Sequence, residues 1–264
     1  MIEISVSPVA FAIGSIEVKW YGIMIALAVL LLIAWMIWQV RRGAKLTYDE
    51  VLTGALVAIP SAVVFSRLLH VIDRWDYYSQ FPDQIVGFEG LTIYGAIIGG
   101  ALGIWIYSRF SKFRFGYVMD TVTPVVPLAQ ALGRVGCLLN GCCYGAETDA
   151  FCGVVYTNPD TAAPIGIAVH PTQAYEILFL LVVSAVIFKI KGKLKVEGSL
   201  FLIYISLYAL WRFAIGFLRE GTDFLFGLQQ AQAVSLAVLI IVVPIFIYRI
   251  IQARRQAALD VDSD

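Results

Sequence analysis

The chain has 264 residues, 60% of them hydrophobic and 14% charged, with 19 basic side chains against 19 acidic ones. Soluble domains carry about 45–50% apolar and about 25% charged residues, so this composition excludes an ordinary soluble domain and predicts an integral membrane protein. The zero net charge says nothing about partners, but with no basic stripe the chain is not expected to bind nucleic acid.

Residues 1–15 carry Glu3 where a cleavable signal would have a basic n-region, so the first long apolar run is expected to be retained. A membrane-spanning helix needs about 20 mostly apolar residues. Seven runs qualify, at 20–40, 50–72, 91–108, 118–138, 173–189, 198–217 and 230–249. KWYG at 19–22 opens the first, where Trp20 and Tyr21 suit an interfacial aromatic belt, as does DRWDYY at 73–78. The second run contains Pro60, Ser61, Ser66, Arg67 and His70. The third begins within EGLTIYGAIIGGALG, 89–103, where Gly95, Gly99 and Gly103 recur every fourth residue; this spacing predicts close helix packing, with Thr92 and Tyr94 placed to look into a site. The fourth contains Pro124, Pro127, Gln130 and Arg134. Prolines and polar groups within a span face a bundle interior or a wet cavity.

Basic residues set the orientation. Arg41, Arg42 and Lys45 follow the first run, and Arg109, Lys112 and Arg114 the third. Lys189, Lys191, Lys193 and Lys195 follow the fifth, and Arg249, Arg254 and Arg255 the seventh. These alternate connections hold 13 of the 19 basic residues, whereas residues 139–172 hold Glu147, Asp149 and Asp160 and no Lys or Arg. The expected fold is therefore an all-α integral membrane protein of seven transmembrane helices, N-terminus outside and C-terminus cytoplasmic. Residues 1–264 read as one membrane domain, with 139–172 as a small extracytoplasmic cap or loop and 250–264 as a flexible cytoplasmic tail.

Arg67, Arg134 and Arg212 fall inside or at the outer ends of spans. A mid-membrane arginine costs at least about 2.5–3.5 kcal/mol on insertion scales, so three of them require a reason. One reason is pairing with an acid, for which Asp73, Asp76, Glu89, Glu176 and Glu220 are the candidates in the outer half. The sharper one is an anion site, because the guanidinium fork matches phosphate. HPTQAYE, 170–176, opens the fifth span with Pro171 in its first turn and polar Gln173 and Glu176 at helical spacing. It serves equally as an interfacial helix start or as an anion-attracting one. Cys137, Cys142, Cys143 and Cys152 all lie at the outer end of the fourth span or just after it, in GRVGCLLNGCCYG and beyond. That side of a bacterial membrane is oxidising, so disulfides are allowed, and a bond from Cys142 or Cys143 to Cys152 is expected. The absence of CxxC or a zinc-type ligand set predicts no metal.

KWYG, LTIYGAIIGG, GRVGCLLNGCCYG, HPTQAYE and LYALWRFAIGFLRE stand in the order and spacing of the bacterial prolipoprotein diacylglyceryl transferase family, which the chain resembles from about residue 18 to 250. The resemblance implies transfer of diacylglycerol from phosphatidylglycerol to the lipobox cysteine thiol of a prolipoprotein, giving a thioether and glycerol phosphate, in the bacterial inner (plasma) membrane. It implies no cofactor, and a monomer is the default. By position, Arg134, Arg212, Tyr21 and Tyr94 are expected to be catalytic. Arg67, Gly136, Asn140, Gly145, His170, Gln173, Tyr175, Glu176, Arg219 and Glu220 are expected to bind substrate. The chain departs from the family pattern at Tyr94, where a histidine is common, at Cys137 for asparagine, at Cys142 for glutamate, and at Gly216 for the glutamate four residues after the arginine.

Three other readings compete. A homologue could pass lipid to another acceptor. A thiol–disulfide oxidoreductase would use the outer cysteines but lacks CxxC. An anion transporter would use the arginines, but no internal repeat is visible. For the transferase, Arg134→Ala is expected to abolish turnover with folding largely intact.

Overall fold

The structure is a computed structural model that describes residues 1–87, 92–194, 196–219, 223–225 and 227–261. Helix α1 (Trp20–Arg41) is apolar all round, and its 22 residues make about 33 Å of helix, enough to cross a hydrocarbon core of about 30 Å. Helix α2 (Tyr48–Asp73) starts at a capping box: the Glu50 N–H donates to Thr47 Oγ1 at 3.1 Å, and the Thr47 N–H donates to Glu50 Oε2 at 2.8 Å. A short helix α3 (Trp75–Tyr78) and helix α4 (Ile93–Phe110) follow.

The chain forms two compact units. One comprises residues 33–118, and the other residues 1–32 with 119–264. In the first, α4 lies against α2 through its glycine face. A Cβ on Gly95 would sit 2.3 Å from the Phe65 carbonyl oxygen, and one on Gly99 would sit 2.4 Å from that of Ser61. Only glycine permits this approach, which is the packing that the four-residue spacing predicts. Ser66 Oγ completes the contact by donating to the Thr92 carbonyl at 2.7 Å.

The expected span 118–138 is broken into α5 (Phe115–Val122) and α6 (Val126–Asn140), which bend by 56°. Pro124 and Pro127 lack the N–H groups that would carry one helix through. The break is satisfied from α7 (Thr172–Ile190), where Ser184 Oγ donates to the Pro124 carbonyl at 3.0 Å. Asp120 accepts from the Gly198 N–H at 2.6 Å and the Phe201 N–H at 3.0 Å, meeting the open N–H groups at the start of α8 (Ser199–Ile215). Helix α9 (Gln230–Val261) packs on α8 and continues into the stretch 250–264 that the sequence reading takes as tail.

Residues 1–19, to which the sequence reading assigns no element, form strands β1 (Ile2–Ile4), β2 (Val9–Ile13) and β3 (Ile16–Lys19). The cap contributes β4 (Val154–Tyr156) and β5 (Ala168–Val169). β1 pairs in parallel with β4, and β4 antiparallel with β5, so the N-terminus is stitched to the cap. Val154, Tyr156, Ala163 and Val169 form a buried cluster here, with the partly buried Ile4 and Tyr144 packed against it. A final hairpin joins β6 (Asp223–Leu225) to β7 (Leu228–Gln229).

Among the described residues, five helical stretches are long and apolar enough to cross a membrane: α1, α2, α7, 199–218 and 230–253. The bent α5–α6 pair makes a sixth if it is one span. The sequence reading expects seven. The difference is α4, whose 18 residues give about 27 Å of helix and whose expected first residue, Leu91, lies outside the described set.

Candidate active site

Helix α6 ends in a turn that reverses the chain. Gly141 takes φ +68°, a left-handed conformation suited to glycine, and the Cys142 N–H returns to the Cys137 carbonyl at 3.1 Å. Cys143 is also left-handed at φ 66°, the only non-glycine residue so placed among the described residues. The turn brings the sulfurs of Cys137, Cys142 and Cys143 within 4.8 Å of one another. The first turn of α7 fixes its backbone. Gln173 Nε2 donates to the Cys142 carbonyl at 2.7 Å, and Thr172 Oγ1 to the Cys143 carbonyl at 2.7 Å. Arg219 Nη2 also donates to the Cys143 carbonyl. All four cysteines are free thiols. Cys152, expected to join a disulfide, instead lies 3.1 Å from the Tyr175 hydroxyl, which also contacts His170 Nδ1 at 3.2 Å.

One turn before the cysteines, Arg134 Nε meets Glu176 Oε1 at 2.9 Å, with the two side chains 14% and 3% exposed. The Tyr208 hydroxyl donates to the same oxygen at 3.0 Å. Arg134 Nη1 points the other way, toward Cys137 Sγ at 3.9 Å. Of the two readings of a buried arginine, acid pairing and anion binding, this one meets the first directly.

Arg212 is different. Its Nη1 is buried and has no hydrogen-bond partner among the described residues. It lines a cavity of about 350 Å³ with Cys143, Tyr144, Arg219 and Gln229. Arg212 lies on α8 and Arg219 just past the 3-10 turn 216–218 that follows it, and both line this cavity. Their positive charge marks this cavity as a place for an anion. At the rim, hydrogen bonds from Cys137 and Cys142, then the Arg134 and Arg219 charges, hold the Cys143 thiol well below its usual range.

The remaining expected residues divide cleanly. Gly136 brings α6 onto α1, since a Cβ there would lie 3.1 Å from Tyr21 Cα. Gly145 lies under the HPTQ segment and the end of α8, 2.4 Å at its missing Cβ from the Leu218 carbonyl and 2.8 Å from His170 Cβ. The Asn140 carbonyl accepts from the Ala162 N–H at 3.2 Å, tying α6 to the cap. Arg67 belongs to the other compact unit, where its Nε donates to the Ile85 carbonyl at 3.0 Å and its guanidinium lies 5.0 Å from the Tyr78 ring centre. Glu220 and the Tyr94 side chain lie outside the described residues. Sequence reasoning missed Tyr208, Tyr144 and Gln229. Tyr208 precedes Arg212 by one helical turn, a signal available in LYALWR.

Apolar helices around a cationic cavity, beside a buried ion pair and a thiol cluster, define a polytopic membrane protein with a polar site suited to an anionic group. A family model described as prolipoprotein diacylglyceryl transferase matches residues 8–248. A phosphatidylglycerol–prolipoprotein diacylglyceryl transferase of Dehalococcoides mccartyi is 57% identical over 260 residues, covering 98% of this chain and 99% of its own. One from Clostridioides difficile is 36% identical over 231 residues, covering 86% and 89%. One from Lactobacillus delbrueckii subsp. bulgaricus is 32% identical over 266 residues, covering 95% and 94%. The chain belongs to the prolipoprotein diacylglyceryl transferase family.

Proposed function

We propose that this protein transfers diacylglycerol from phosphatidylglycerol to the lipobox cysteine of a prolipoprotein. The acceptor thiol loses its proton and its sulfur bonds to the glycerol carbon. The bond from that carbon to the phosphate oxygen breaks, and glycerol phosphate leaves with the electron pair. Charge therefore grows on the departing phosphate, and preorganised cations stabilise it best in a site closed to water.

The observation that carries this reading is the buried Nη1 of Arg212, unpartnered among the described residues, on a cavity shared with Arg219. These two arginines hold the phosphate. Arg134, fixed by Glu176 and Tyr208, adds positive charge and orders the signature turn. Tyr21 and Gly136 shape the adjoining helix contact, and Asn140, Gly145, His170, Gln173 and Tyr175 hold the outer rim. For Arg67, Tyr94 and Glu220 a role in substrate binding rests on the resemblance of their sequence positions alone. The chain works as one membrane domain and as a monomer in the bacterial inner membrane, with α4 as the seventh span, the N-terminus outside and the C-terminus in the cytoplasm. Diacylglycerol comes from the lipid itself and the reaction transfers no electrons, so no redox cofactor is required.

The test is transfer in phosphatidylglycerol-containing micelles to a peptide with one lipobox cysteine, read as the mass of the diacylglyceryl adduct. Wild type forms the adduct and Arg212→Ala does not. Well-folded wild type that forms none overturns the proposal, and full activity in Arg212→Ala misplaces the phosphate.

A further inference from the structure

Three sulfurs converge at the end of α6 without being bonded to one another. Cys137, Cys142 and Cys143 lie within 4.8 Å pairwise, while Cys152 is engaged elsewhere with Tyr175. A tetrahedral zinc with Zn–S bonds of about 2.3 Å places its sulfurs about 3.8 Å apart, so the three close on one ion by shifts of about 1 Å or less.

The surroundings are built for such a site. The peptide carrying Cys142 and Cys143 is held by Gln173, Thr172 and Arg219 through its two carbonyls. The αL geometry of Gly141 and Cys143 turns that peptide back onto the last turn of α6. Arg134 Nη1 donates toward Cys137 Sγ, the kind of outer hydrogen bond that orients a metal ligand. Three thiolates and a divalent ion carry a net charge of −1, and Arg134 and Arg219 answer it.

We propose that Cys137, Cys142 and Cys143 form a three-thiolate site for one thiophilic divalent ion, Zn²⁺ or its spectroscopic surrogate Cd²⁺. Hard ions such as Mg²⁺ and Ca²⁺ prefer oxygen ligands and are excluded. The fourth position of a tetrahedral ion falls to a ligand from outside the triad. Cys143 and Arg219 also line the cavity beside Arg212, so binding is measured on the protein without lipid or acceptor.

The experiment uses the full chain in detergent micelles, reduced with a phosphine and freed of metal by chelator. Titration with Cd²⁺ is expected to raise an ultraviolet thiolate-to-metal charge-transfer band that saturates at one ion per chain, with an intensity matching three thiolates. Saturating Zn²⁺ should protect three of the four thiols from maleimide. Cys143→Ser, at the exposed end of the triad, should weaken Cd²⁺ at least tenfold, and Cys152→Ser should leave it unchanged. Three results would overturn the site, the first two being no band at micromolar Cd²⁺ with four free thiols and equal weakening in Cys152→Ser. A third is a disulfide within the triad that reforms after reduction and excludes the ion.

Discussion

Arg134 and Glu176 bind each other inside the protein, and the cost of separating them is open to measurement. Glu176 is 3% exposed as a side chain and accepts from both Arg134 Nε and the Tyr208 hydroxyl. Removing one member of a buried pair leaves the other charge uncompensated and costs about 3–5 kcal/mol. Arg134→Ala leaves Glu176 with Tyr208 as a donor, so its loss falls at the lower end, about 3 kcal/mol. Glu176→Ala strands a guanidinium that still reaches toward Cys137 Sγ and, at 14% exposure, touches some solvent; its loss is also about 3 kcal/mol. Because each single change leaves a stranded charge that the double change removes, the double variant should lose less than the sum, with a coupling of at least about 1.5 kcal/mol. Tyr208→Phe removes one hydrogen bond to a charged group, about 1.5–3 kcal/mol. The assay is unfolding in mixed micelles followed by tryptophan fluorescence on wild type, both single variants and the double. Additivity within about 0.5 kcal/mol would refute the argument, since it would mean that the two charges do not depend on each other. The expectation from sequence that Arg134→Ala spares folding is revised by this pair.

Three further outcomes follow from single positions. Gly99→Ala puts a Cβ 2.4 Å from the Ser61 carbonyl and should cost about 1–3 kcal/mol, whereas Gly54→Ala, whose nearest neighbour is 3.5 Å away, should be near neutral; thermal midpoints compare them. Burial, then the charge of Cys142, lifts Tyr156 from 10.0 to about 12, so the folded state favours the neutral phenol. That stability is complete below pH 10 and is lost as pH rises from 10 to about 12, and Tyr156→Phe should flatten the slope in hydrogen exchange of the cap. Gly216→Ala collides with Gln232 Cγ at 2.5 Å and should lower the thermal midpoint by several degrees, with recovery in Gly216→Ala/Gln232→Ala.

Five of the seven expected spans, and a sixth as a bent pair, were legible because hydropathy over about 20 residues is a strong local signal. The glycine face of α4 was legible for a related reason, since a four-residue repeat maps to one helix face. Strands β1 and β4 were not, because three residues carry no readable period and their pairing partners are remote in sequence. Pro124 and Pro127 mark the break between α5 and α6, but the hydrogen bond that Ser184 gives the Pro124 carbonyl joins residues 60 apart and was not legible. In the site, Arg134, Arg212 and Glu176 were all legible as residues that need an explanation. Their division into one paired and one unpartnered arginine was not, because it is decided by which helices meet. The thiol cluster escaped a search for zinc spacings because Cys137 and Cys142 are brought together by a left-handed turn at a helix end, not by a tight CxxC loop.

Gly216 is where the chain lacks the glutamate that its resemblance leads one to expect, and the structure gives that absence a use. With no side chain at 216, α8 tightens into a 3-10 turn, Gly216–Leu218, and the buried Gln232 of α9 fills the space. Gln232 Oε1 accepts from the Gln229 N–H at 3.0 Å, and its Nε2 donates to the Phe213 carbonyl at 3.3 Å. Gln229, thus fixed, donates from Nε2 to the Arg219 carbonyl at 2.5 Å and lines the cavity beside that arginine. Arg219 in turn donates to the Cys143 carbonyl. A glutamate at 216 would carry negative charge toward a cavity whose proposed task is to hold a phosphate, and would displace the glutamine that ties α9 to α8. Glycine there leaves two arginines facing the cavity and a neutral amide relay holding the second in place, which favours anion binding over internal neutralisation.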